Sequence, residues 1–164
     1  MISVKMQKAL NKHLNEELFS SYLYLSMAAY FETKNLKGFA NWMRLQSHEE
    51  YSHAMKFYGY ITQVGGNVTL MQINAPKTSW KNHVDVFKET LEHEKFITEL
   101  INKLVDLAIL EKDHATNNFL QWFVNEQVEE VATAEDIVNK LEMIGDNKNG
   151  LFMLDRELGS RAAQ

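Results

Sequence analysis

Four stretches of this chain set an apolar residue at every third or fourth position, the pattern of one buried helical face, and acids or amides interrupt each stripe near its middle. The first stripe reads Leu10, Leu14, Glu17, Ser21, Tyr24, Ala28, Phe31, and the second Phe39, Met43, Gln46, Glu50, His53, Phe57, Tyr60, Val64. The third reads Phe87, Leu91, Glu94, Thr98, Ile101, Val105, Ala108, and the fourth Leu120, Phe123, Gln127, Glu130, Ala134, Ile137, Leu141, Ile144. Glu17 and Glu50 stand 33 residues apart, as do Glu94 and Gln127, with 44 residues between Glu50 and Glu94. Helices at about 5–33, 36–64, 81–110 and 114–144 would put Glu17, Glu50, Glu94 and the pair Gln127 and Glu130 at one height, where an antiparallel bundle brings them together.

Such convergence requires a counter-charge. Burying several unpaired carboxylates costs more than the net stability of a domain, about 5–15 kcal/mol, and no stripe position carries Lys or Arg. A bound cation meets the requirement. Oxygen donors with one imidazole suit divalent iron or manganese better than structural zinc, which favours thiolate and His. Glu50 and His53, spaced i and i+3, share a helical face as in carboxylate-bridged two-metal bundles.

With 164 residues, one Pro and seven Gly, the chain is expected to form a single domain over 1–164. The lack of Cys removes disulfides and thiolate ligation and fits a reducing cytoplasm. A net charge of −5 with scattered Lys and Arg disfavours a nucleic-acid partner. The first ten residues hold Lys5 and Lys8 but no apolar run of signal-peptide length, and no segment approaches a membrane span. A cytoplasmic protein with no membrane partner is expected.

The second helix is expected to stop at Gly65-Gly66, and the third to start near Thr78 or Ser79 as N-cap. Roughly a dozen residues lie between, including Asn74-Ala75-Pro76, too many for a hairpin and enough to run the length of a bundle. The links at Asn35 and around Asp113 are short. The expected fold is therefore all-α: a four-helix up-down-down-up bundle over about 5–144 with a long crossover between helices 2 and 3. After a turn-rich Asp146 to Gly150, a short C-terminal fifth helix is expected at about 149–160, centred on Leu151 to Leu158. Its Leu151, Phe152, Leu154 and Leu158 need a surface to cover, and a neighbouring subunit is the favoured one.

Tyr24, the Glu-x-x-His of Glu50 to His53, Glu94, the Gln-x-x-Glu of Gln127 to Glu130 and the long second connection give the chain its likeness to a known family. Over essentially its whole length it resembles the bacterial non-haem ferritins. The resemblance implies an iron store with ferroxidase activity, which oxidises Fe(II) to Fe(III) with O2 or H2O2 at a di-iron centre. The product is kept as a ferric oxide-hydroxide mineral in a hollow shell of 24 identical subunits. It further implies that Glu17, Glu50 and His53 hold the first iron and that Glu50 bridges to a second held by Glu94 and Glu130, near Gln127. Glu49, Glu126, Glu129 and Glu130 resemble that family's third iron site and would relay iron outward. Tyr24 would hydrogen-bond a site carboxylate or donate an electron, and Trp122 would lie near the third iron, where packing is its commoner role. Haem is not expected, because Tyr51 follows Glu50 where haem-containing bacterioferritins carry Met, and Glu130 stands where their fourth helix has a second His.

Two other classes remain open. A di-iron peroxidase or oxygenase would use the same ligands but leaves the fifth helix unexplained. A DNA-protecting mini-ferritin is disfavoured by the missing basic tail and by ligands that converge within one chain. His13, His48, His83, His93 and His114 are read as ordinary residues, and Met27, Met43, Met55, Met71, Met143 and Met153 as packing residues.

Overall fold

Short polar side chains that favour helix entry mark where most of these helices begin. The structure, a computed structural model, describes residues 2–162, so Met1 and Ala163–Gln164 of the expected 1–164 span lie outside the described residues. Ser3 accepts from the Met6 N–H at 2.9 Å and opens α1 (Val4–Thr33). Asn82 accepts from the Asp85 N–H at 2.9 Å to open α3 (His83–Leu110), and Asp113 from the Thr116 N–H at 3.0 Å to open α4 (His114–Ile144). Asn147 opens α5 (Lys148–Gly159). The start of α3 differs from the expected Thr78 or Ser79. Trp80 is tucked edge-on against Tyr30 and donates from Nε1 to Glu89 at 2.8 Å, which holds its segment in the crossover and leaves Asn82 as the cap.

Side-chain pairs fix the helix directions. Ser21 meets Ser47 across α1 and α2 (Lys37–Gln63), which reverse at Asn35 through a positive φ of 56°. Tyr24 meets Glu94 while Met27 meets Thr90, so α3 runs against α1. Gln46 meets Glu130 while Tyr60 meets Thr116, so α4 runs against α2. The order is up-down-down-up, as expected. α2 ends before Gly65, whose φ of 77° turns the chain into the crossover. The crossover climbs alongside α1: the Asn11 side chain donates to the Asn67 carbonyl at 2.9 Å and accepts from the Thr69 N–H at 2.6 Å, and Ser26 donates to the Lys77 carbonyl at 2.7 Å.

Two apolar clusters fill the bundle. One, around Met27, Phe31, Phe39, Met43, Phe87 and Leu141, occupies the end where α1 turns into α2. The other, around Leu10, Leu14, Phe57, Ile61, Ile101 and Phe123, occupies the opposite end. Between them lies a waist of buried polar residues, Glu17, Gln46, Glu50, His53, Glu94, Gln127 and Glu130.

α5 does not wait for a neighbouring subunit, contrary to the expectation. Leu154 and Leu158 bury themselves in the first apolar cluster of their own chain, chiefly against α2. The reason is a cap. Leu36 gives α2 no side-chain cap, and Asp155 Oδ1 supplies one from outside, accepting from the Gly38 N–H at 2.9 Å and the Phe39 N–H at 3.1 Å. A Cβ at Gly38 would lie 1.6 Å from the Asp155 carbonyl oxygen, so only glycine lets the helices approach this closely. Phe152 and Met153, 62% and 71% exposed, are the large apolar residues of α5 that still face outward. Asp155→Ala should lower stability by about 1 kcal/mol, and Gly38→Ala should dislodge α5 altogether. Thermal melting measures the first, and limited proteolysis at the 145–147 link measures the second.

Candidate metal centre

The waist assembles because each helix turns its interrupted stripe inward at the same level. Glu17, Glu50 and His53 each bring a donor atom within 4.8 Å of the others. Glu49, His53, Glu126 and Glu130 do the same. His53 belongs to both groups, with Nδ1 3.5 Å from Glu50 Oε2 and Nε2 3.9 Å from Glu126 Oε1. Glu94 lies in the same layer but in neither group: Tyr24 donates its hydroxyl to Oε1, and the Gln127 amide donates to Oε2 at 3.1 Å. Gln127 thus turns its nitrogen toward Glu94 and not into either group. Glu129 is exposed and lines the cavity beside Glu126 and Glu130 without joining their donors. Trp122 packs edge-on against His53, 5.3 Å between ring centres, with Lys56 over its other surface.

Burial drives the electrostatics. Desolvation and the neighbouring Glu94, Glu17 and Glu130 hold the Glu50 carboxyl well above the usual carboxylate range. Burial raises Glu94 to about 7 against the opposing hydrogen bonds from Tyr24 and Gln127. Burial, then Glu94 and Glu49, raise Glu130 to about 8. Tyr24 is pushed far up by burial and by Glu94 and Glu50, and stays protonated. Burial also lowers His53, which favours the neutral imidazole that a metal needs. Glu17 is the exception. Burial pushes it up as well, yet the charge and hydrogen bond of His13, together with His53 and a hydrogen bond from Glu50, outweigh that and hold it below the ordinary value. Its Oε2 is buried with no hydrogen-bond partner, a position that a cation fills. Oxygen-rich donors, one neutral imidazole and an orphaned carboxylate oxygen all fit a hard divalent cation.

Four residues outside the expected ligand set join or border the waist. His13, read from the sequence as ordinary, is buried with Nε2 2.8 Å from Glu17 Oε1; its i,i+4 spacing to Glu17 was the available signal. His93 likewise meets Ser20 Oγ at 2.7 Å, and burial lowers it to about 4. Gln46 donates to Glu50 Oε1 at 3.0 Å and to Glu130 Oε2 at 2.9 Å, again one turn before a stripe acid. Arg161, beyond α5, pairs with Glu49 and carries no local signal at all.

The Ferritin family, described as a ferritin-like domain, matches residues 7–144 of the chain. The bacterial non-heme ferritin of Bacteroides fragilis strain 638R is 46% identical over 161 residues, covering 98% of this chain and 100% of its own. That of Staphylococcus aureus strain MRSA252 is 38% identical over 161 residues, covering 98% and 97%. Among solved structures, an open-pore ferritin from the hyperthermophilic archaeon Archaeoglobus fulgidus is 50% identical with a TM-score of 0.97, covering 98% of both chains. A closed form of A. fulgidus ferritin engineered by site-directed mutagenesis is 49% identical with a TM-score of 0.99, covering 100% of both.

The raised carboxyls carry a pH signature. Glu94 and Glu130 titrate higher in the folded chain than in the unfolded one, so the stability they contribute is complete below the ordinary value of 4.5 and is lost as pH rises through about 7 and about 8. The metal-free protein should therefore melt about 5 °C lower at pH 8.5 than at pH 5. Co(II) should abolish that fall by supplying the missing charge, and Glu94→Gln should flatten it without metal.

Proposed function

The chain belongs to the ferritin family, whose work is iron storage with ferroxidase activity, and from that premise we propose that its polar waist is a paired-iron oxidation centre. Glu17, Glu50 and His53 take the first Fe(II), and Glu50 bridges to a second held by Glu94 and Glu130, with Gln127 steering Glu94. The single observation that carries the reading is the buried, unpartnered Glu17 Oε2 beside Glu50 and His53. Iron is the substrate here: each Fe(II) gives one electron to O2 or H2O2, and carboxylates stabilise the higher charge of Fe(III).

The residues around the metals have separable tasks. His13 ties up Glu17 Oε1 and leaves Oε2 for iron. Tyr24 keeps its proton on the hydroxyl bonded to Glu94, which holds that carboxylate in place until metal arrives. Glu49, Glu126 and Glu130, with His53 at their edge, form a third position, and the exposed Glu129 extends it toward the cavity. Product Fe(III) passes along this acidic side and hydrolyses to ferric oxide-hydroxide. The copies of the chain close into a hollow shell of 24 around the mineral, as a cytoplasmic store. Phe152 and Met153, among the exposed apolar residues, supply surface for that assembly.

Aerobic loading with excess Fe(II), followed by iron counting in the protein peak of a sizing column, tests the reading. Many more irons per chain than the waist has ligands for, in a large particle, is the expected result. Two or three irons on a small species would make the protein a di-iron oxidase instead. Glu50→Ala and His53→Ala should each slow the fast oxidation phase by roughly 100-fold, and Glu50→Ala should fold at least as stably because it removes a desolvated carboxyl from a crowded acidic layer. Stopped-flow absorbance and thermal melting check the two effects.

A further inference from the structure

Arg161 stands where a cation would otherwise be. It is the last charged residue of the described chain, and it reaches back past α5 to the edge of the waist. Nη2 pairs with Glu49 Oε2, both side chains being about four-fifths buried at 21% and 19% exposure. Nη1 donates to Gln46 Oε1 at 2.9 Å, the guanidinium lies 4.7 Å from the centre of the Trp42 ring, and Asn41 donates to the Arg161 carbonyl at 3.3 Å. Two cavities, of about 310 and 500 Å³, flank it, and Glu49, Glu126 and Arg161 line both.

We propose that Arg161 is a resident counter-cation that competes with a divalent metal for Glu49, keeps the third metal position weak, and is released with the C-terminal segment when that position fills. The inference rests on the paired-iron reading above and adds a regulator to it. The physical case starts with Glu49, which belongs to the donor group of His53, Glu126 and Glu130 and is, among the described residues, the member paired with an arginine or lysine. A guanidinium within that group repels a divalent ion, and at partly buried positions this repulsion outweighs the benefit of holding one carboxylate still. A weak third position suits iron in transit, since a tight one would retain it.

Gln46 extends the consequence inward. Its amide oxygen faces Arg161, which orients its nitrogen toward Glu50 and Glu130. Arg161 is thus a positioning residue for two of the paired-iron carboxylates, through one intervening amide. Metal in the third position and the arginine's hold on Gln46 exclude each other.

Anaerobic titration of the full-length protein with Co(II) tests this, because Co(II) alone needs no oxidant to report occupancy. Arg161→Gln should bind the third equivalent about tenfold tighter than wild type, the effect of removing one like charge at a partly exposed site, with Arg161→Lys in between. In the wild type, amide hydrogen exchange over residues 159–162 should accelerate only as the third equivalent binds; in Glu49→Gln it should be fast throughout. An equal or weaker third equivalent in Arg161→Gln, or exchange indifferent to metal, overturns the competition alone. Absence of the two tight equivalents from every variant overturns the paired-iron reading and this inference with it.

Discussion

Desolvation of the waist carboxylates is the constraint on which the rest of the molecule turns. Glu17, Glu50 and Glu94 are almost completely withdrawn from water, and Glu130 nearly so, with no Lys among them. Such a layer is tolerated only where protons or cations neutralise it. In the metal-free chain protons do this, which is why Glu50, Glu94 and Glu130 hold theirs so far up the pH scale. A metal bound there would replace those protons. The same burial that makes the unpaired carboxylates costly would strengthen their hold on a cation, with affinity coupled to proton release.

The bundle can carry this layer because its two ends are conventional. Aromatic and aliphatic side chains pack both above and below the waist, and Phe31, Phe39 and Phe87 on one side answer Phe57, Phe119 and Phe123 on the other. Burial of that apolar area, at about 25 cal/mol per Å², supplies the stability that the polar layer withdraws. The polar layer sits at mid-height, where the clusters on either side shield it from water.

The bundle and its waist were largely legible in the sequence, since a period of three and four over four long segments leaves little choice of fold and an acid in such a stripe is conspicuous. What was not legible depended on contacts between segments distant in sequence. The start of α3 moved to Asn82 because Trp80 packs on Tyr30, a long-range event with no local signature. α5 was assigned to a neighbour because its apolar residues announce only that something covers them, whereas its partner, the uncapped first turn of α2, lies 117 residues away. His13 and Gln46 could have been found from their one-turn spacing to Glu17 and Glu50. Arg161 could not, since its partner Glu49 lies 112 residues away.

The cap that Asp155 gives to α2 has a bearing on how the chain is built. α2 carries Glu50 and His53, yet its first turn is completed by a residue that leaves the ribosome 116 positions after Phe39. While the chain is still being made, the N-terminal hairpin can form from local contacts, but the end of α2 nearest Gly38 stays open until α5 has emerged and folded back. Completion of α2 is in this way tied to the emergence of α5, and a chain cut short before residue 155 would present its acids on a frayed scaffold.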